Sequence, residues 1–527
     1  MDVATVVRET ERKYDPVRAG TAAMEAVKTI AGTAGVAAVS PQAEQLLDAV
    51  YYDTADLRLT GVGITLRERT GGDGAGWQLE LPTGAGTRDE IRLPLAAPGG
   101  KPAARAASGT AGKRAAAPRG RARSTVPKEL AALVRSRTRG AALAPVLRIQ
   151  TSRRLLRLAD DAGRTLAEVA ADHVSAGPAD ATTTTGATAT SWDEIEAELV
   201  DGDPKLLKAI DARLRKAGAQ PATATRLQRA LGGRLPGKTA QGPPLKAASP
   251  AGEVVLAYVR DQVAAITRYD PLVRRDAPDA VHQMRVATRR ARSALQAFGT
   301  IVERESTRPL CAELKWLGAT LGQARDGEVL LARLTADLAA IPPALVVGPV
   351  EARINAYFTA ELAKAGKTAL AALNGRRYLQ LLDDLDALLA DPPLTPQADR
   401  PAGKVLAKPV RRAERRLQRA LADVPGAEDR DVAIHEARKA TKRARYAAEA
   451  AVPALGGAAK RQVKQTKELQ QLLGDQHDSV VARTVLLDLA AKARAAGEDT
   501  FTYGLMHRSQ ACQAAESEQA LPRFATR

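Results

Sequence analysis

The chain has 527 residues, 45% of them apolar, which is too long for one ordinary domain and sufficient for two to four units with their own cores. A net charge of +18 calls for an anionic partner such as nucleic acid, polyphosphate or a membrane surface. Aromatic residues make up only 3%, which disfavours a single-strand nucleic-acid binder that stacks bases on rings. Cys311 and Cys512 are the only cysteines, too few for a disulfide framework. The first residues lack a charged-then-apolar signal pattern, and no apolar run approaches the ~18 residues that span a bilayer, so a soluble cytoplasmic protein is expected.

Residues 4–14 read as a strand on which Glu9, Glu11 and Lys13 share one face, because strand side chains alternate with period 2. The same alternation recurs down the chain. Arg67 and Arg69 oppose Ile64 and Leu66; Gln78 and Glu80 oppose Trp77, Leu79 and Leu81; Arg88, Glu90 and Arg92 alternate with Asp89, Ile91 and Leu93. Farther on Glu168 and Asp172 share a face, and Glu194, Glu196 and Glu198 oppose Ile195, Ala197 and Leu199. Such strands could turn their charge outward over an internal core. Closed into a barrel of about eight strands, they could instead line a lumen with charge and pack their apolar faces on helices. A lumen of both signs suits a polyanion held with a divalent metal, arginines taking phosphate oxygens and paired carboxylates taking the hard cation.

Between these strands, residues 99–125 are Ala-, Gly- and Pro-rich with seven basic residues and no acid from Lys101 to Arg123, and they read as a disordered basic insertion. Thr182 to Thr190 reads as a second low-complexity insertion, Pro204 to Gly218 as a helix, and residues 236–250 as an interdomain linker.

Residues 1–235 resemble the CYTH family of triphosphate tunnel enzymes. The resemblance lies in Glu9-x-Glu11-x-Lys13, in Tyr51 to Leu59 and in Gly61 to Arg69. It implies that Glu9, Glu11, Glu196 and Glu198 bind Mg²⁺ or Mn²⁺. It also implies that Lys13, Arg67 and Arg69 serve catalysis on a triphosphate such as tripolyphosphate, with Arg88, Arg92, Arg148, Arg153, Arg154 and Arg226 as candidate triphosphate ligands. Two positions depart from the family: Glu80 stands where it usually has a lysine, and Arg226 replaces a later lysine.

From residue 251 to 527 the sequence is helical almost throughout, with breaks near Pro278, Pro342, Pro392, Pro425 and Pro453 to Gly457. Asp279 is placed to cap the helix that follows it. Within this half the pattern His282, Arg285, Arg289, Arg292 returns as His435, Arg438, Lys442, Arg445, and offsets of 3, 7 and 10 fall on one stripe of a helix. Arg290 and Arg443 broaden each stripe. A second pair of motifs follows: Lys315, Leu321, Gly322, Arg325, Asp326 matches Lys467, Leu473, Gly474, His477, Asp478. Survival of polar positions through the duplication points to a duplicated anion site, built on two pseudo-symmetric helical bundles of about four helices each.

Val281 to Arg290 is close to the signature of the CHAD family, and residues 251–527 resemble that family, whose members are understood to bind inorganic polyphosphate. The whole therefore resembles a CYTH-CHAD protein. The resemblance implies an all-α polyphosphate-binding domain joined to an antiparallel β-barrel tunnel that hydrolyses triphosphate with a divalent metal. The alternative is a non-catalytic polyphosphate-binding or granule-associated protein whose tunnel is weakened by Glu80. Oligomeric state is not legible.

Overall fold

The computed structural model describes residues 5–16, 21–31, 34–72, 74–84, 87–95, 125–179, 189–232 and 243–525, and it divides into two compact units, Met1–Ala240 and Gln241–Arg527. The basic insertion up to residue 124, residues 182–188 of the second insertion, and the first part of the linker lie outside the described residues. Residues following 243, expected within the linker, belong to the second unit: Ala402 and Gly403 donate their amides to the carbonyls of Ser249 and Ala247.

Among its described residues the first unit carries ten strands: β1 Thr5–Asp15, β2 Ala38–Pro41, β3 Gln45–Asp53, β4 Thr65–Thr70, β5 Gly76–Gly84, β6 Thr87–Leu93, β7 Ala144–Ala159, β8 Thr165–Gly177, β9 Thr190–Leu199 and β10 Gln220–Pro221. Eight of them close antiparallel in the order β1-β6-β5-β4-β3-β7-β8-β9, with β9 returning to β1; β2 and β10 add to β7 and β1. Six short helices accompany them: α1 Thr21–Lys28, α2 Arg58–Gly61, α3 Lys128–Leu133, α4 Arg135–Thr138, α5 Pro204–Lys216 and α6 Arg226–Leu231.

Apolar strand faces point out of the barrel onto α1, α3 and α5, which leaves the charged faces for the lumen. Val27 of α1 and Leu206, Ile210 and Leu214 of α5 cover Leu156, Leu158, Val169 and Ile195. Leu130 of α3 covers Leu66, Trp77, Leu79 and Ile91. Each such buried aliphatic side chain contributes roughly 1.5–3 kcal/mol. The start of α5 is set by Pro204 and by the Asp203 carboxylate, which accepts from the Lys205 amide at 2.7 Å. Asp53, within the Tyr51 to Leu59 motif, is fully buried and accepts from the Thr54, Leu59 and Thr60 amides, so it holds the entry to α2 and faces no ligand.

The second unit is helical: α7 Ala251–Arg274, α8 Ala280–Ala297, α9 Arg304–Ala339, α10 Val350–Asn374, α11 Arg376–Ala390, α12 Ala402–Val405, α13 Ala407–Ala422, α14 Arg430–Ala495, α15 Phe501–Gln519 and α16 Pro522–Ala525. Gly456, at φ 55° and ψ −127°, breaks α14 into two helical segments, as the Pro453 to Gly457 signal predicts. The four long helices α7 to α10 thus match α13, the two segments of α14, and α15. No helix among the described residues is long and apolar enough to cross a membrane. Asp279 does not cap α8: it adopts φ 62°, and its carboxylate accepts from the Gln283 side chain at 2.6 Å instead of from a helix amide.

Candidate functional site

Two charged sites emerge, one in each unit. In the barrel lumen the strand register sets the partners. Lys13 faces Glu196 and Glu11 faces Glu198 across β1 and β9, while Arg153 faces Asp172 across β7 and β8. Lys13 Nζ lies 3.1 Å from Glu196 and 3.5 Å from Glu11. Arg153 donates to Asp172 at 2.7 Å and to Glu196 at 2.6 Å. Arg67 reaches Glu80 at 2.8 Å, and Arg88 joins Glu80 at 2.5 Å and also pairs with Glu11. α6, started by a capping box of Thr225 and Gln228, delivers Arg226 to Asp172, Glu194 and Glu196. A cavity of about 590 Å³ opens onto Glu11, Lys13, Arg67, Glu80, Arg88 and Arg226.

The electrostatics of the lumen are uneven. Despite the cost of burial, Arg67 and Arg88 hold the Glu80 carboxyl down to about 2. Against the same cost, Lys13 and Arg226 hold Glu196 well below the usual carboxylate range, whereas burial pushes its neighbour Glu11 up. Burial, together with Glu196, lifts Glu198 to about 7. Burial, with repulsion from Arg67 and Arg153, pulls Arg69 down to about 10, and its buried Nε has no hydrogen-bond partner.

In the helical unit α8 and the first segment of α14 bring their basic stripes into one groove of about 710 Å³. His282, Arg285, Arg289 and Arg292 line it from α8, and His435, Arg438, Lys442 and Arg443 from α14, with Arg325 and His477 beside them. Asp326 accepts from Arg285 at 2.6 Å and Asp478 lies 3.8 Å from Arg438, so the duplicated aspartates orient one arginine in each repeat. Gly322 makes room for this: a Cβ there would lie 3.3 Å from the Arg285 guanidinium. Arg289 donates to the Tyr446 hydroxyl at 3.0 Å. The Nε atoms of Arg289, Arg292, Arg325 and Arg438 are buried without a hydrogen-bond partner among the described residues. Burial, with repulsion from Arg438, Arg289 and Arg285, pulls Lys442 down to about 7, and burial beside Arg438 and His435 pulls His477 down to about 4. Burial likewise lowers His282 and His435.

A CYTH domain model matches residues 8–226 and a CHAD domain model matches residues 257–487. An uncharacterised protein of Mycobacterium tuberculosis (strain H37Rv) is 37% identical over 519 residues, covering 95% of this chain and 93% of its own. The chain is a CYTH-CHAD protein. Among solved structures, PptA from Streptomyces chartreusis is similar at 23% identity and a TM-score of 0.46, over 53% of this chain and all of that one. The CHAD domain from the plant Ricinus communis is similar at 26% identity and a TM-score of 0.42, over 54% and 93%.

Several residues singled out from the sequence stand elsewhere in this CYTH-CHAD structure. The Glu9 side chain lies outside the described residues. Arg148 and Arg154 are exposed on the strand face opposite Arg153, and Arg148 pairs with Asp48 at 2.5 Å, so neither joins the lumen cluster. Arg92 shares the lumen face of β6 with Arg88 but is held by Glu90 at 2.6 Å. In the CHAD unit Arg290 and Arg445 turn to Glu449, at 3.0 and 2.8 Å. Lys315 and Lys467 are exposed and do not line the groove. Conversely, Asp172, Glu194 and Glu90 belong to the lumen network, and Lys439 and Tyr446 line the groove. Strand parity with Glu196 and a four-residue step from His435 were the available signals.

The carboxylates Glu11, Glu196 and Glu198 fit a hard divalent cation in donor chemistry, being all oxygen. Glu198, raised first by burial and then by Glu196 against a partial offset from Arg153, makes no ion pair among the described residues, so its oxygens are open to a hard cation. No group of three such ligands is gathered tightly among the described residues, because Lys13 and Arg88 occupy the approach to Glu11.

Proposed function

We propose that this protein binds inorganic polyphosphate in the CHAD groove and hydrolyses a short triphosphate in the CYTH lumen. The observation that carries the reading is the groove: two repeats converge there with buried guanidinium Nε atoms that have no partner, alongside cations weakened by one another. Cations in that state gain from a polyanion, which supplies acceptors and removes the repulsion. A linear phosphate chain offers such acceptors without bases to be read.

In the lumen, Arg69 supplies a cation without an ion pair among the described residues, and Arg67 and Arg153 flank it electrostatically. These three grip phosphate oxygens; Lys13 stays charged between Glu11 and Glu196 and adds a fourth contact. Glu11, Glu196 and Glu198 would hold Mg²⁺ or Mn²⁺, which supplies charge neutralisation at the phosphate oxygens. Phosphate release from tripolyphosphate is expected only with the metal, and Glu196→Ala is expected to lower it at least about a hundredfold. Metal-independent release, or full activity in that variant, would remove the tunnel from the mechanism. Glu80 favours a second reading, in which the tunnel binds without turnover, since this carboxylate already occupies Arg67 and Arg88. Undetectable release from a chain that still binds long polyphosphate would select it.

Polyphosphate binding is also expected to depend on pH. Lys442 has its pKa lowered to about 7 in the free groove, and a bound polyanion raises it toward its ordinary value. The bound state therefore holds more protons than the free one above about pH 7, so affinity falls as pH rises from there, by up to about tenfold per unit for one proton taken up. Titration calorimetry in buffers of different ionisation enthalpy reads the proton uptake directly. No uptake at pH 8 would count against Lys442 as a ligand.

A further inference from the structure

The first repeat places Gln296 where the second, 153 residues on, places Glu449, and this exchange breaks the symmetry of the groove. Glu449 neutralises its own end: it pairs with Arg290 and Arg445 and accepts from Tyr258 at 3.1 Å. Among the described residues no acid does this at the other end. Ser293 and Arg443 line the groove and also a second, open cavity of about 380 Å³, whose exposed arginines come from the first turns of α9, from α13 and from α14, beside α8. Arg304, Arg308, Arg412 and Arg416 line this second space together with Gln296. Its one lining acid, Glu305, pairs with Arg308 at 3.3 Å. Arg412, Arg416 and Arg443 make no hydrogen bond or ion pair among the described residues.

We propose that this arginine cavity is a second anion subsite, continuous with the groove, that takes the overhanging end of a linear polyphosphate. The inference rests on the groove reading above and adds a direction to it. A chain longer than the groove extends past Arg443, where cations are uncompensated, and not past Glu449, where they are neutralised. The ligand class is a phosphoanhydride polymer, since the recognition is by charge spacing alone and the cavity offers no aromatic ring to a base.

The test uses the full chain and a series of inorganic polyphosphates of increasing length, with affinity measured at several salt concentrations. Arg412→Gln combined with Arg416→Gln should weaken long chains about tenfold and reduce the slope of log affinity against log salt by roughly two, with the loss growing as the chain lengthens. Gln296→Glu, which installs the second repeat's acid in the first, should act in the same direction. Arg438→Gln, inside the groove, should weaken chains of every length. If the cavity variants lose nothing, or lose the same factor at all lengths while Arg438→Gln still acts, the subsite is wrong and the groove reading stands. An Arg438→Gln variant that binds every length normally would overturn the groove reading and the subsite with it.

Discussion

Arg289→Gln combined with Arg438→Gln is expected to weaken long-chain polyphosphate binding by about a thousandfold, taking ~2 kcal/mol for each charge-assisted hydrogen bond to phosphate that is removed. The two arginines come from different repeats, and both carry a buried Nε without a partner. Stability should move the other way. Arg438 has its pKa lowered by burial and by Arg289 and Arg285, so deleting cations relieves repulsion in the free groove. A variant that melts no lower than the parent yet fails to bind therefore separates recognition from folding. Lys315→Gln with Lys467→Gln supplies the contrast: both lysines are exposed and off the groove, and their loss should change affinity by less than about threefold. An equal loss from both pairs would mean that net charge, and not the groove, holds the polyanion.

Glu80→Ala is expected to destabilise the barrel by about 2–4 kcal/mol, because it strips the carboxylate from two half-buried to buried arginines, Arg67 and Arg88. Arg67 keeps the Glu90 carboxylate at 3.8 Å and neutral acceptors on Gln78 and Tyr51, and Arg88 keeps Glu11. Tripolyphosphate should then raise the melting temperature of the variant more than that of the parent, since the ligand supplies the anion that was removed. The outcome separates two roles for this residue. If Glu80 only repels substrate, the variant binds more tightly with unchanged stability; if it is a structural counter-ion, the stability loss and its rescue by ligand appear together. The low pKa of about 2 imposed by Arg67 and Arg88 argues for the counter-ion.

The separation of a strand-rich half from a helical half, the charged faces of the strands and the duplicated basic stripes were all legible in the sequence. Each is a local periodicity: period 2 puts Glu194, Glu196 and Glu198 on one face, and period 3.6 puts His282, Arg285 and Arg289 on one stripe. What periodicity leaves undecided is which side of a face looks inward and which neighbour a long side chain meets. Period 2 already sets Arg153 apart from Arg148 and Arg154, but only barrel closure decides that Arg153 is the one in the lumen.

Likewise Arg226 reaches the lumen because a short helix after β10 packs Leu227 and Leu231 against the barrel, a contact between residues distant in sequence. In the second unit the register predicts that Arg292 and Arg445 act alike. The structure divides them, Arg292 to the groove and Arg445 to Glu449, because Glu449 and Tyr446 have counterparts Gln296 and Ser293 that carry neither the charge nor the ring. The sequence by itself thus determined which residue types share a face and that the basic helix stripe occurs twice. The tertiary structure decided which cations remain uncompensated, because pairing of long charged side chains depends on carboxylates brought from other elements, at distances that no local repeat encodes.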